Sequence, residues 1–193
     1  KLESQETVPS SGWKIEKVSD RKVRDEWKPL WGKRAVVEDH FNELVIDLVN
    51  PAGQPERMQL VVRGYNDGFA FCYKIPDGKG PRVNVQSELT AYNFAGDYTA
   101  WFYNGENHNI GPEKLTETDG TRLPVMTVKA GDKHYMAIHE ACLETGAPLV
   151  LQSKGGESLF SVASKPASLS PGYTSAWRVV MYLSLIHISE PTR

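Results

Sequence analysis

The sequence predicts an all-β protein with the architecture of an antiparallel β-sandwich. Short runs of β-branched and aromatic residues recur roughly every 8 to 15 residues, with turn residues between them. Long helical periodicity is absent, because Pro29 interrupts the best helix candidate, DRKVRDEWKPLW. No internal repeat and no linker divides the chain. These three observations favour a single sandwich of short strands.

The predicted strands follow this alternation along the chain. They cover residues 44–50, 58–65, 68–75, 82–89, 123–130, 134–143, 149–154, 158–165 and 175–182. In the third of these, Phe69, Phe71 and Tyr73 fall on one face, as a period of two requires. The stretch GYNDGFAF carries Asn66 and Asp67 between two glycines and therefore predicts a tight hairpin turn.

Composition and charge exclude several classes of protein. The chain has 193 residues and a net charge of −2, and its basic residues are scattered, which argues against nucleic-acid binding. No run of 18 apolar residues is present, so we expect no membrane span. Cys72 and Cys142 are the two cysteines, and neither lies in a C-x-x-C pair. Free thiols are the commoner state, and a single disulfide is the alternative.

The two ends of the chain differ from its middle. Residues 1–16 are predicted to be an irregular segment, and residues 17–182 to form one domain. The last eleven residues, LSLIHISEPTR (183–193), resemble the translation of a sequencing adaptor, so we exclude them, and His187 with them, from the fold. We therefore expect the natural protein to continue beyond Tyr182.

The stretch HYMAIHEACLETG (134–146) raises the question of a metal site. A zinc-binding helix needs a second histidine four residues after His139, and Leu143 stands there, so that motif fails. On a strand, Glu140 shares the face of Met136, Ile138 and Cys142, which we expect to be buried. A carboxylate in such a place is either exposed at the strand end, paired with an arginine, or an oxygen ligand for a hard cation such as calcium.

Tryptophans are the other candidates for a site. Four of them, Trp27, Trp31, Trp101 and Trp177, either pack in the core, which we expect for most, or stack on sugars. No nucleophile motif of the form G-x-S-x-G and no phosphate-binding loop accompanies them.

Several motifs taken in order resemble glycoside hydrolase family 97. They are EWKPLWGKRAVVEDHFNELVIDL, VVRGYNDGFAFCYKI, SELTAYNF, LPVMTV, YMAIHEACL and SAWRVVMY. The resemblance covers roughly residues 17–182. Cys72 departs from the arginine usual in the Ala-Phe-Arg-Tyr run, and Ala176 departs from the proline usual before Trp-Arg. The early strands of the family's first domain are not matched before Lys1.

The resemblance implies a fold and a function. It implies an antiparallel β-super-sandwich of the galactose-mutarotase type that packs on a catalytic (β/α)8 barrel absent from this chain. Such enzymes hydrolyse α-glucosides or α-galactosides with a calcium ion, which implies α-linked oligosaccharides as substrates and export to the periplasm or beyond. No nucleic-acid or membrane partner is implied.

The same resemblance assigns roles to residues. Glu140 matches the calcium ligand that the N-terminal domain lends to the active site, and His139 and Trp177 are candidates for lining the sugar pocket. We assign no catalytic residue here, because the family's catalytic carboxylates lie in the barrel. Two rival functions remain, a stand-alone carbohydrate-binding sandwich and a purely structural docking domain.

Overall fold

Antiparallel strands make up nearly all of the regular structure. The computed structural model describes residues 2–4, 12–32, 34–53, 55–78, 81–103, 105, 109–144 and 147–184. Within them the strands are β1 (Leu2–Ser4), β2 (Lys14–Trp27), β3 (Val37–Val49), β4 (Arg57–Tyr65), β5 (Gly68–Lys74), β6 (Val83–Glu88), β7 (Ala91–Asn93), β8 (Thr99–Tyr103), β9 (Asn109–Lys114), β10 (Asp119–Lys129), β11 (His134–Ala141), β12 (Leu151–Lys154), β13 (Leu159–Val162), β14 (Ala167–Leu169) and β15 (Trp177–Ser184). A 3-10 turn, Leu115–Glu117, connects β9 to β10.

The strands form one large sheet and one small one. Hydrogen-bonded neighbours in the large sheet follow the order β2-β3-β4-β5-β15-β11-β10-β12-β13-β7, and β8 pairs with both β10 and β9. The small sheet has the order β1-β6-β14. Antiparallel pairing throughout confirms the predicted fold class.

Strand β10 joins two parts of the large sheet. Its residues 119–122 pair with β12, whereas residues 126–129 pair with β11 on one side and residues 127–129 with β8 on the other. Apolar side chains from both parts meet in the first hydrophobic core, which consists of Ala100, Phe102, Leu115, Met126, Val128, Ile138, Leu149, Leu151, Phe160 and Val162. Strand β10 therefore connects the two parts of the sheet that enclose this core.

A second core lies between the small sheet and strands β4 and β5. It consists of Met58, Tyr73, Ile75, Val83, Val85 and Leu169, with Phe71 and Leu60 packed against it. Burial of apolar surface in both cores is the main driving force for the packing of these strands.

Several strands were not predicted, and β2 is the clearest case. Its sequence, KIEKVSDRKVRDEW, is almost entirely exposed and carries charges on both faces, so no apolar alternation marks it. It pairs with β3 over its whole length. Strands β7, β8, β9 and β14, the first half of β3 and the start of β10 were also missed, and several of these are too short to show a period.

Two predicted boundaries differ from the structure. Strand β2 begins at Lys14 and β1 covers Leu2–Ser4, so part of the segment 1–16 belongs to the sheets rather than being irregular. At the other end, β15 extends through Ser184 and pairs with the start of β11. Residues 185–193, which include His187 and most of the adaptor-like segment, lie outside the described residues.

In the described part of the chain, no helix has the length and apolar character needed to cross a membrane.

Candidate functional site

Strand β11 carries Glu140 near its end. The strand pairs with β10 on one side and β15 on the other, and its alternation puts Ile138 in the first core at 1% exposure. Glu140 follows on the same face, as the period of two predicted. Cys142, predicted on that face too, is exposed instead, because its backbone has a φ of 59° and leaves the strand geometry. The prediction for Cys142 was wrong for this reason.

Glu140 lies in a cluster with Arg178 and Glu88. The register of β11 and β15 puts Glu140 opposite Arg178, whose Nη1 donates to Glu140 Oε2 at 3.4 Å. The backbone N–H of Leu149 donates to the same oxygen at 2.5 Å. Arg178 also donates from Nε to Glu88 Oε1 at 3.0 Å and from Nη2 to Glu88 Oε2 at 2.5 Å. The cluster thus links the large sheet to β6 of the small sheet.

This cluster is buried and carries an excess of negative charge. The side chains of Arg178 and Glu140 are 4% and 8% exposed, and one guanidinium faces two carboxylates. Burial lowers the pKa of Arg178, but the hydrogen bonds and charge of Glu88 outweigh it and raise that pKa above its ordinary value. Arg178 therefore stays charged, and the arginine-paired environment that the sequence left open for Glu140 is the one the structure has.

The same geometry fits one ligand of a hard cation. Both hydrogen bonds to the Glu140 carboxylate use Oε2, and among the described residues none reaches Oε1. A carboxylate oxygen is the donor that calcium prefers, but calcium takes six to eight oxygens. No group of three or more His, Cys, Asp or Glu side chains capable of holding a metal exists within the described ranges. Glu140 can therefore contribute to a cation site only together with oxygens from elsewhere.

Trp177 and His139 lie on the opposite face of the sheet from Glu140. Trp177 pairs with Ala141, and His139 pairs with Val179. The side chains of Trp177 and His139 therefore share a face of the sheet. Trp177 lines a surface cavity of about 310 Å³ with Arg63, Tyr65 and Val179, and His139 is not among its lining residues. The Nδ1 atom of His139 is buried without a hydrogen-bond partner in the described part of the protein. The structure therefore separates the three site residues named from the sequence into two groups.

Arg63 organises the face that carries Trp177. Its guanidinium carbon lies 4.5 Å from the centroid of the Trp177 ring and 4.3 Å from that of Phe41. Its Nε donates to Glu43 Oε2 at 2.8 Å, and Arg21 Nε donates to Glu43 Oε1 at 2.6 Å. Burial raises the pKa of Glu43, but the hydrogen bonds from Arg21 and Arg63 outweigh it, so the pKa lies below its ordinary value of 4.5. The sequence carries no local signal for this network.

The tryptophans and cysteines have different environments from those expected. None of Trp27, Trp31, Trp101 and Trp177 belongs to either core, and Trp31 is 88% exposed, so the core role expected for most of them was wrong. Trp27 and Trp31 lie on or beside β2, which pairs with β3, and both rings are more than half exposed. Both cysteines are free thiols, and burial raises the pKa of Cys72 to about 11.

Fold and site together define an antiparallel β-sandwich domain with a buried cluster of two glutamates and one arginine at a strand end. A model of the glycosyl-hydrolase 97 N-terminal family matches residues 1–185, so the chain belongs to that family.

Solved structures share the fold. One is a glycoside hydrolase family 97 enzyme from Pseudoalteromonas sp. strain K8 in complex with acarbose, with a TM-score of 0.77 and 24% identity over 89% of this chain. A variant of that enzyme in complex with panose matches equally well. A β-arabinopyranosidase matches with a TM-score of 0.75 and 17% identity over 89% of this chain. This chain covers 28% of the first two and 32% of the third, and at these identities the likeness shows the fold alone.

Proposed function

We propose that this chain is the N-terminal domain of a calcium-dependent enzyme that hydrolyses α-glucosidic or α-galactosidic bonds. Family membership over residues 1–185 carries the proposal. The relatives with this fold are about three times longer, so the catalytic carboxylates are expected in the barrel that follows, and the domain alone is expected to be inactive. Export to the periplasm or beyond is part of the same proposal.

Glu140 is the residue that this domain would lend to the calcium ion. The unengaged Oε1 atom and the excess negative charge of the cluster support the assignment, because a buried uncompensated carboxylate is costly unless a cation balances it. Bound calcium would supply a Lewis acid that polarises a substrate oxygen. The remaining oxygens would come from the catalytic domain.

The second proposed contribution is to the sugar pocket. The ring of Trp177 lines an open cavity. Arg63, on the same face of the sheet, lies over this ring and holds it in place. An aromatic ring fixed in this way suits the apolar face of a sugar. His139 lies on the same face, opposite Val179 on the neighbouring strand, and would join the sugar pocket that this face forms together with the catalytic barrel.

The experiment that tests the proposed function is a hydrolysis assay of the complete protein. Substrates are the p-nitrophenyl α-glucoside, α-galactoside and β-arabinopyranoside, the last because a protein of the same fold has that activity in its name. We expect activity on one of the two α-glycosides, loss of that activity in a calcium chelator, and recovery on adding calcium. Activity that the chelator leaves unchanged would contradict the calcium part of the proposal.

A stand-alone carbohydrate-binding domain is the alternative. The exposed rings of Trp27 and Trp31, 55% and 88% accessible, favour it. Calorimetry on residues 1–182 with maltose and with an α-galactoside separates the two functions. The enzyme-domain proposal predicts no measurable binding, because the pocket needs the barrel, whereas the alternative predicts binding without a partner.

A further inference from the structure

Glu88 accepts hydrogen bonds from Nε and Nη2 of Arg178, the edge of the guanidinium that suits a carboxylate well. A guanidinium presents Nε and one Nη as a planar fork that matches two carboxylate oxygens. In this structure Nε and Nη2 of Arg178 are both used by Glu88, at 3.0 and 2.5 Å. Only Nη1 is left for Glu140, and it reaches a single oxygen at 3.4 Å. Glu88 therefore prevents Arg178 from engaging both oxygens of Glu140.

Glu88 is itself fixed in place. It ends β6 in the small sheet, and its backbone N–H donates to Ser164 Oγ at 2.6 Å. Its side chain is 9% exposed and that of Arg178 is 4% exposed. Because both side chains are almost fully buried, the bidentate Arg178–Glu88 pair is a rigid link between the two sheets.

The orientation of Glu140 follows from this link. Leu149 and Arg178 both hold Oε2, from a backbone N–H and from Nη1. With Oε2 held on two sides and Arg178 held by Glu88, the carboxylate can turn little, and Oε1 stays available. The two carboxylates also share one positive charge, so Glu140 keeps part of its negative charge for a cation.

We infer that Glu88 and Arg178 are positioning residues that hold Glu140 ready to bind a cation through Oε1. Neither touches the cation; they act through Glu140. This inference rests on the proposed function, because it assumes that Glu140 is a calcium ligand. Without Glu88, the Arg178 fork is free to pair with both oxygens of Glu140, and calcium then has to displace that pair.

The test compares calcium binding by variants of the complete protein. We expect Glu88→Gln to raise the calcium dissociation constant about tenfold, as replacing a group that orients a metal ligand commonly does. Calorimetry gives the constant, and the calcium-dependent rise in melting temperature gives an independent measure. Saturating calcium should restore kcat in this variant, because the ligand itself is intact. Arg178→Lys should also weaken calcium binding, since an ammonium lacks the fork.

A matched control and a third variant make the outcomes distinct. Glu113 also accepts from an arginine, Arg122, at 3.3 Å, and lies on β9. Glu113→Gln should bind calcium as the wild type does. If Glu140→Gln weakens calcium binding but the folded Glu88→Gln and Arg178→Lys variants do not, the inference is overturned and the proposed function stands. If Glu140→Gln leaves calcium binding unchanged, both fail. Should Glu88→Gln give no cooperative melting transition, Arg178→Lys decides.

Discussion

The guanidinium of Arg63 lies over the ring of Trp177, with 4.5 Å between the guanidinium carbon and the ring centroid. The two residues come from β4 and β15, which lie on either side of β5. Arg63 and Trp177 both line the 310 Å³ cavity on this face. The orientation of the tryptophan in the candidate sugar pocket thus depends on a residue that is 114 positions away in the sequence.

Removing Arg63 should destabilise the domain and loosen Trp177. Arg63→Gln loses the stacking on two rings and the charged hydrogen bond to Glu43, so we expect a loss of about 2 kcal/mol in the free energy of unfolding. Urea unfolding measures this. Arg82→Gln is the control, because Arg82 is exposed and its hydrogen-bond partners among the described residues are Ser168 and Ser170. An equal loss in both variants would contradict the role given to Arg63.

Glu43 should make stability depend on pH in acid. Its pKa is lower in the folded state than its ordinary value of 4.5, so the unfolded chain binds a proton first. The stabilisation is full above 4.5 and is lost as the pH falls through the folded-state pKa. We expect Glu43→Gln to be less stable than the wild type by about 2 kcal/mol at pH 7, with the gap closing in acid. A gap that stays constant in urea unfolding at every pH would refute this.

The two thiols should differ sharply in reactivity. Cys72 is 0% exposed and burial raises its pKa to about 11, whereas Cys142 is exposed. Because the thiolate is the reactive form, iodoacetamide at about pH 8 should label Cys142 and spare Cys72 in the native protein. Peptide mass spectrometry reads out the site. Denatured protein, in which both should react, is the control, and rapid labelling of native Cys72 would be inconsistent with the packing around β5.

Phe160 should be among the costliest residues to truncate. It is 0% exposed in the first core and its ring centroid lies 5.6 Å from that of Phe102. Phe160→Ala removes a fully buried ring and leaves a cavity, so we expect a loss of about 3 to 5 kcal/mol. Phe69→Ala is the matched control, because Phe69 is 45% exposed, and it should cost about 1 kcal/mol or less. Thermal or urea unfolding of both variants gives the comparison.

Local periodicity predicted the fold class and the face of Glu140, but not the partners of Glu140. Alternation is a property of neighbouring residues, so it could be read for β5 and β11. The pairing of Glu140 with Arg178 depends on the register between β11 and β15, and the pairing of Arg178 with Glu88 depends on how the two sheets pack. Strand β2 was missed because it is exposed along its length and carries charges on both faces, so its pairing with β3 leaves no apolar alternation in the sequence. Cys142 was misplaced because one left-handed residue ends the alternation.

A calcium titration of the complete protein, wild type against Glu140→Gln, tests the central claim most directly. The substitution keeps the size of the side chain and removes the charge that would bind calcium. We predict that the variant binds calcium at least tenfold more weakly by calorimetry, loses hydrolytic activity at low calcium and regains part of it in excess calcium. Wild-type calcium affinity and activity in a folded Glu140→Gln variant would contradict the account.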